Sequence, residues 1–265
     1  MKLKSIAKNF FYAVVFIVAI FGLYSFEKNL TPKHSLQNHL PLRNIQFSSD
    51  GTVTTHWLAK ALAIKKNILL SDIDIFALKK RLLEFSQIRD VCIEKQFPDA
   101  LSIQMSERHP LLKFAIKNNG REELLFVDSK DGSIFRAACM PKSLILATPY
   151  ANLKVEKSPQ SPLRMKKIEG IKAVEHLVNA LHSEYPEIYE QIKKFSLKKY
   201  DHRSSAPWSR IEVFLKNGLI IAFGSQDIDL QLLHLDYLMH QRNLASMNVK
   251  KIDLAKINSA IIENR

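Results

Sequence analysis

One uncharged stretch near the amino terminus constrains this chain more than any other feature. Residues 10–26 read FFYAVVFIVAIFGLYSF, seventeen residues without a charged side chain. As an α-helix this stretch would be about 25 Å long, because each residue advances a helix by about 1.5 Å. That length is short but adequate for a bilayer, and aromatic residues at both ends suit its interfaces. The sequence therefore predicts a transmembrane helix here.

The residues before this stretch predict its orientation. Lys2, Lys4 and Lys8 precede it with no acidic residue, so the positive-inside rule keeps the amino terminus in the cytoplasm and exports the rest. A cleaved signal peptide is the alternative, but no A-x-A-like triplet follows, so we favour an uncleaved anchor. The predicted membrane contacts are Phe10, Phe11, Tyr12, Val14, Val15, Phe16, Ile17, Val18, Ile20, Phe21, Leu23, Tyr24 and Phe26.

Composition narrows the class of protein. The 265 residues are enough for two domains after an anchor, and 46% hydrophobic residues exclude disorder for most of the chain. Glycine is scarce at 7, and no phosphate-binding glycine motif occurs, which argues against nucleotide binding. The net charge of +13 would suit a nucleic acid, an anionic membrane or an acidic polymer. Because the basic residues are scattered and no nucleic-acid module is visible, we favour solubility as their role.

The sequence offers little for catalysis. Asp236 and His240 are four residues apart on a predicted helix face, but two ligands do not hold a zinc ion and no further metal motif completes them. We therefore predict no catalytic residue, metal, cofactor or small-molecule substrate, with a membrane-anchored hydrolase as a distant alternative. Of the two cysteines, Cys92 reads as a small buried residue, and a Cys92–Cys139 bridge stays open.

The residues after the anchor predict a small α+β domain. Residues 27–40 form a polar linker, and a strand follows at 42–47. One helix begins at a Thr54 or Thr55 cap and runs to about Ala63, and a second is capped by Ser71 or Asp72. After Phe85 the apolar residues recur at every second position, which predicts a hairpin around a Pro98-Asp99 turn. The order strand, helix, helix, strand, strand gives a small sheet with helices on one face.

The run NILLSDIDIFALKKRLLEFSQIRDVCIEKQFPDALSIQMSERHP resembles a POTRA domain, specifically that of the bacterial cell-division family FtsQ/DivIB. Departures from the family's pattern are Ser86, Cys92 and Lys95. Within the Glu107-Arg108-His109-Pro110 group, we interpret Glu107 and Arg108 as a structural ion pair at a domain junction. The positions that match are Asn67, Leu69, Leu70, Asp72, Val91, Ile93, Phe97, Pro98, Leu101, Ile103, Glu107, Arg108 and Pro110.

The rest of the chain predicts a larger sheet domain. Strands at about 124–127 and 133–136 flank an Asp-rich turn, a loop covers 149–162, and a helix spans about 168–181. Residues 211–223 form a hairpin around a type I′ Asn217-Gly218 turn, and a helix at 229–242 precedes one final strand at about 251–263. This layout resembles the β domain of FtsQ/DivIB, with Ile252-Asp253-Leu254 at a family motif.

The predicted fold class is therefore α+β: a transmembrane helix, a small POTRA domain and a larger mixed β-sheet domain with flanking helices. The predicted segments are a cytoplasmic tail (1–9), the anchor (10–26), the linker (27–40), the POTRA domain (41–110) and the FtsQ-type β domain (111–265).

The resemblance also implies a function. In the FtsQ/DivIB family the last strand is a sheet edge at which the small coiled-coil protein FtsB, in complex with FtsL, adds a strand. It implies a non-enzymatic divisome scaffold at the septum, in the inner membrane with its domains in the periplasm. A POTRA-containing factor for polypeptide transport or assembly is the alternative. The partner-binding residues implied are Ile252, Asp253, Leu254, Ala255, Lys256, Ile257, Asn258, Ser259, Ala260, Ile261 and Ile262.

Overall fold

The structure, a computed structural model, describes residues 40–65, 67–118, 120–158, 161–201, 209–240, 249–256 and 259–264. The predicted tail, anchor and nearly all of the predicted linker lie outside these ranges. Within them, no helix is both long and apolar enough to cross a bilayer.

The Cα positions divide the chain into two compact units. Among the described residues, the first unit consists of 40–46, Ile64–Ile75 and Ile93–Ser102, and the second consists of Phe47–Ala63, Phe76–Cys92 and Ile103 onward. In the first unit, the Leu42 amide donates to Ile68 O and the Leu70 amide donates to Leu40 O, so these two short segments lie side by side. The domain boundaries predicted from the sequence stay predictions.

The elements up to residue 107 follow the predicted order. The sheet has the strand order β1-β3-β2. Its elements and the two helices are β1 (Asn44–Ser49), α1 (Thr55–Leu62), α2 (Ile75–Leu83), β2 (Ile88–Gln96) and β3 (Ala100–Glu107).

Local sequence explains the first helix. The Thr54 hydroxyl accepts a hydrogen bond from the Trp57 amide at 3.3 Å, which satisfies one of the amides that a helix start leaves without a partner. The helix ends at Ala63, which adopts a left-handed conformation with φ 47°. Leu58 and Leu62, four residues apart, are its buried residues, as helical spacing requires. The predicted Thr54 cap is therefore confirmed.

Buried and exposed residues alternate along strand β2 of the hairpin. In β2, Ile88, Val91 and Ile93 are buried, whereas Asp90 and Cys92 are exposed between them. The prediction that Cys92 is buried was therefore wrong, because this position points away from the core. No disulfide joins Cys92 to Cys139.

Three further strands form a second sheet with the order β4-β5-β6. The β4–β5 pair is a long antiparallel hairpin, and β6 pairs with β5 at Phe126 and Val127. These strands are β4 (Pro110–Asn118), β5 (Arg121–Asp128) and β6 (Ile134–Phe135), and a short helix, α3 (Lys142–Ala147), follows them.

The predicted loop at 149–162 contains short strands that sequence patterning missed. These are β7 (Ala151–Asn152), β8 (Lys157–Ser158) and β9 (Ser161–Met165), the last two pairing with each other. Strands β7 and β8 have two residues each, which is too short to show a period of two, and the prolines of this region suggested only a loop.

The largest sheet has six strands in the order β14-β13-β12-β11-β10-β7. It is mixed, because β12 pairs parallel with β13 and β7 pairs parallel with β10. The remaining elements among the described residues are α4 (Ile171–Glu184), α5 (Pro186–Glu190), β10 (Ile192–Lys199), β11 (Arg210–Leu215), β12 (Ile220–Phe223), α6 (Ile228–His240), β13 (Val249–Lys256) and β14 (Ser259–Asn264).

One face of this sheet belongs to the core. Helix α4 buries Val174, Leu177 and Leu181, a helical stripe that was predicted from the sequence. The strands contribute alternate residues to the same core, for example Ile211 and Val213 of β11.

The turn between β11 and β12 differs from the prediction. Gly218 has φ 91°, but Asn217 is not among the residues with positive φ, so a type I′ turn is excluded. Instead, the Gly218 amide donates to Leu215 O and the Leu215 amide donates to Leu219 O. This is the pattern of a type I turn followed by a left-handed glycine, which still allows the antiparallel pairing.

Candidate functional site: the carboxy-terminal sheet edge

A crossover builds the carboxy-terminal edge of the six-stranded sheet. Strand β12 leads into α6, which returns the chain so that β13 pairs parallel with β12, with Ile221 opposite Ile252. A parallel pair needs such a crossover, whereas β14 folds back on β13 antiparallel. The chain thus places β13 inside the sheet and β14 at its edge.

The structure corrects the predicted single strand at 251–263. Residues Ile252 to Lys256 belong to β13, and Ser259 to Ile262 belong to β14, while Ile257 and Asn258 lie outside the described residues. Strand β13 has a neighbour on each side, and its residues Ile252, Asp253 and Leu254 are at most 5% exposed. Strand β13 therefore cannot be an open edge.

Strand β14 ends the strand order, and among the described residues no strand pairs with its outer side. An unpaired edge presents backbone amides and carbonyls that another strand can use. Its side chains include the exposed Ile261 and Ile262, at 38% and 36%. Large apolar side chains on an open edge are the combination that natural proteins usually avoid unless a partner covers them.

The register assigns these two isoleucines to opposite faces of the sheet. Ile262 lies opposite Ile252, a core residue, whereas Ile261 lies opposite Asp253. Directly opposite residues of an antiparallel pair point to the same face. Ile262 therefore extends the core face, and Ile261 extends the outer face.

Asp253 links the interior of the sheet to this edge. Its carboxylate accepts a hydrogen bond from Arg210 Nε at 2.7 Å, lies 3.3 Å from Lys251 Nζ and accepts from the Ala255 amide. Burial alone would raise the pKa of Asp253, but the bonds from Arg210 and Ala255 outweigh it, so the pKa is lowered. The carboxylate stays charged and fixes the backbone where the β13–β14 register shifts, between Asp253 and Lys256.

A buried polar cluster surrounds Glu107, which the sequence had assigned to an ion pair with Arg108. The Glu107 carboxylate, 1% exposed, accepts hydrogen bonds from Ser49 Oγ, the Val53 amide and Gln87 Nε2. Arg108 instead donates to the carbonyls of Ser86 and Ile88. The predicted ion pair was therefore wrong, because neutral donors already surround this carboxylate.

Two side chains near this cluster connect β2 and its preceding turn to the residues that follow the POTRA-like segment. Gln87 Oε1 accepts from the amides of Ala138 and Cys139, at 2.7 and 3.2 Å. Arg89 Nη2 contacts both oxygens of the fully buried Asp128, at 2.7 and 2.9 Å. Sequence reasoning missed both contacts, since Asp128 read only as part of a turn.

The described residues hold no group of three or more histidine, cysteine, aspartate or glutamate side chains that could bind a metal ion. His240 Nδ1 lies 3.4 Å from Asp236, and both side chains are well exposed. A cavity of about 410 Å³ lies beside Leu153, Tyr200 and Asp201, with Lys154 and Glu156 also in its wall. The side chains that line it carry charges of both signs.

Comparison with known families gives the class of protein. Residues 40–108 match the family model described as the POTRA domain, FtsQ-type, so this segment of the chain is a POTRA domain. More particularly, this domain is of the FtsQ type, and the match supports the resemblance to the FtsQ/DivIB family. Proteins of that family are membrane-anchored division proteins that act as non-enzymatic scaffolds. No curated protein matches the chain.

Proposed function

We propose that this chain is a non-enzymatic scaffold of the bacterial division machinery that resembles FtsQ/DivIB. It binds small coiled-coil division proteins of the FtsB and FtsL kind and thereby helps to organise septal peptidoglycan synthesis. Its predicted anchor at 10–26 holds it in the inner membrane at the septum, with the folded residues on the periplasmic side.

The open edge of β14 is the observation that supports this proposal most directly. A partner strand that pairs with β14 gains backbone hydrogen bonds along the edge and covers Ile261 and Ile262. The segment at 251–256 is not part of this surface, because β13 already has two neighbours. The proposed binding segment is therefore narrower than the sequence suggested, and it comprises residues 259–264.

The test is co-purification of the full chain from detergent, with tagged partners of the FtsB and FtsL kind expressed beside it. The edge variant combines Ile261→Asp and Ile262→Asp, which places two charges where a partner strand would bury apolar surface. The matched control is Leu146→Asp, because Leu146 is an apolar residue of α3 that is 78% exposed. Both variants change exposed positions, so both should fold.

We expect the control to retain the partners and the edge variant to lose them. Circular dichroism should show the same thermal transition for both variants, so that lost binding is not a folding defect. Equal recovery of the partners with the edge variant would refute strand addition at β14.

A further inference from the structure

We infer that β14 selects a partner strand that carries three consecutive residues of defined chemistry: one basic residue and two apolar residues. The basic residue lies opposite Glu263, and the apolar residues lie opposite Ile262 and Ile261. This inference rests on the proposed function, because it specifies the partner that the same edge accepts.

The apolar pair Ile261 and Ile262 favours apolar residues in the added strand. Ile262 continues the core face beside Ile252, which is 1% exposed, whereas Ile262 itself is 36% exposed. Ile261 is exposed to a similar extent on the other face. A polar partner residue opposite either isoleucine would leave this apolar surface uncovered, so apolar residues are favoured at both positions.

Glu263 adds a negative charge to this edge. In the β13–β14 register Glu263 lies opposite Lys251, which could have neutralised it. The Lys251 ammonium, however, lies 3.3 Å from Asp253, and its side chain is only 18% exposed. Among the described residues no ion pair to Glu263 is formed, and Glu263 is exposed at the edge. A basic residue in the added strand would complete the cross-strand pair.

The order of the three partner positions follows from the sequence of β14. Ile261, Ile262 and Glu263 are consecutive, so the residues opposite them in an added strand are consecutive too. A parallel partner presents them as apolar, apolar, basic, and an antiparallel partner presents them in reverse. The composition of the triplet is therefore the same for either direction of the strand.

The test measures the binding of fluorescein-labelled octapeptides to the full chain in detergent by fluorescence anisotropy. Two probes contain Lys-Val-Val or Val-Val-Lys between threonine and serine residues, and two matched probes contain glutamate in place of lysine. A fifth probe contains Lys-Ser-Ser. Three forms of the protein are compared: the unchanged chain, the variant Glu263→Lys, and the edge variant with Ile261→Asp and Ile262→Asp.

For the unchanged chain, we expect the better lysine probe to bind about two- to five-fold more tightly than its glutamate match, the range of a cross-strand ion pair. Glu263→Lys should reverse this preference, and added salt should reduce it in both proteins. The Lys-Ser-Ser probe should bind more weakly than Lys-Val-Val. The edge variant should bind every probe more weakly.

Two negative results have different meanings. Equal binding of lysine and glutamate probes that still depends on Ile261 and Ile262 would overturn the inferred selectivity and leave strand addition in place. Binding of no probe, or binding that the edge variant does not weaken, would overturn the edge as a binding surface and the selectivity with it.

Discussion

Glu107 is a buried carboxylate that hydrogen bonds keep in its charged form. Burial would raise the pKa of Glu107, but donors that include Ser49, the Val53 amide and Gln87 outweigh this effect, and the pKa is lowered from its ordinary value of 4.5. A lowered pKa means that the folded state binds the proton less tightly than the unfolded chain. The stabilisation is thus complete above pH 4.5 and is lost as the pH falls through the lower, folded-state pKa.

We predict that Glu107→Gln destabilises the full chain by about 1–3 kcal/mol at pH 7, because a glutamine turns an NH₂ group toward donors that need an acceptor. The measurement is urea denaturation in detergent, followed by circular dichroism.

The pH dependence checks the cause of this effect. As the pH falls from 7 to 3.5, the difference between the unchanged chain and the variant should shrink, because below pH 4.5 the carboxylate of the unfolded chain takes up a proton that the folded state binds less tightly. A difference that is constant over this range would show that the charge of Glu107 does not contribute.

Gly132 allows a second test on a single residue. Its φ is 73°, and a Cβ atom at this position would overlap the carbonyl oxygen of Ile168. Gly120 has a similar φ of 78°, with nothing within 4 Å of its Cβ position. We predict that Gly120→Ala lowers the free energy of unfolding by about 1 kcal/mol, from backbone strain alone. Gly132→Ala should lower the free energy of unfolding by about 1–3 kcal/mol more than Gly120→Ala does, because the backbone must shift to make room for the Cβ atom.

Comparison of the two alanine variants by urea denaturation separates strain from steric overlap. If both lose the same stability, the close approach of Gly132 to Ile168 has no energetic consequence.

At the scale of the elements, sequence patterning predicted most helices and strands and missed those that tertiary pairing defines. The stripe of Val174, Leu177 and Leu181 specifies α4, because only one helix face can bury them. The run from Lys251 to Glu263 contains no glycine or proline, so nothing in it signalled a break between β13 and β14. Asn258 and Ser259 were the turn-favouring residues near its centre, and without a glycine or proline they are a weak signal.

We predict that Thr54→Ala weakens α1 and lowers the free energy of unfolding by about 1 kcal/mol, since the Trp57 amide loses its acceptor. Thr54→Ser is the matched control, because it keeps the hydroxyl and should stay within a few tenths of a kcal/mol of the unchanged chain. Urea denaturation gives both values. Equal losses in the two variants would show that the hydroxyl is not what stabilises the helix start.

At the scale of the whole molecule, the class of fold followed from the sequence, whereas the candidate edge did so only in part. The change of period from 3.6 to 2 after Phe85 was enough to predict the small sheet with its two helices. The contacts of Gln87 with Ala138 and of Arg89 with Asp128 were not predictable, because they join residues 51 and 39 positions apart. Which strand lies outermost depends on such distant pairings, and local patterns do not encode them.

The predicted membrane topology gives a test on the intact chain. Reporter fusions after residue 30 and at the carboxy terminus should both be active as periplasmic alkaline phosphatase and inactive as cytoplasmic β-galactosidase. Replacing Lys2, Lys4 and Lys8 by glutamate should weaken this preference, because the orientation depends on positive charge. A carboxy-terminal reporter that is active only in the cytoplasm would contradict the anchor and the site of action together.

The parallel pairing of β13 with β12 also bears on when the edge becomes available. Because α6 separates the two strands, closing this pair costs more chain entropy than closing a hairpin, and such contacts form slowly. We therefore expect β13 to dock late, with β14 ordered as an edge only afterwards. A newly synthesised chain would then stay unreceptive to foreign strands until its own sheet is complete, which would limit misassembly.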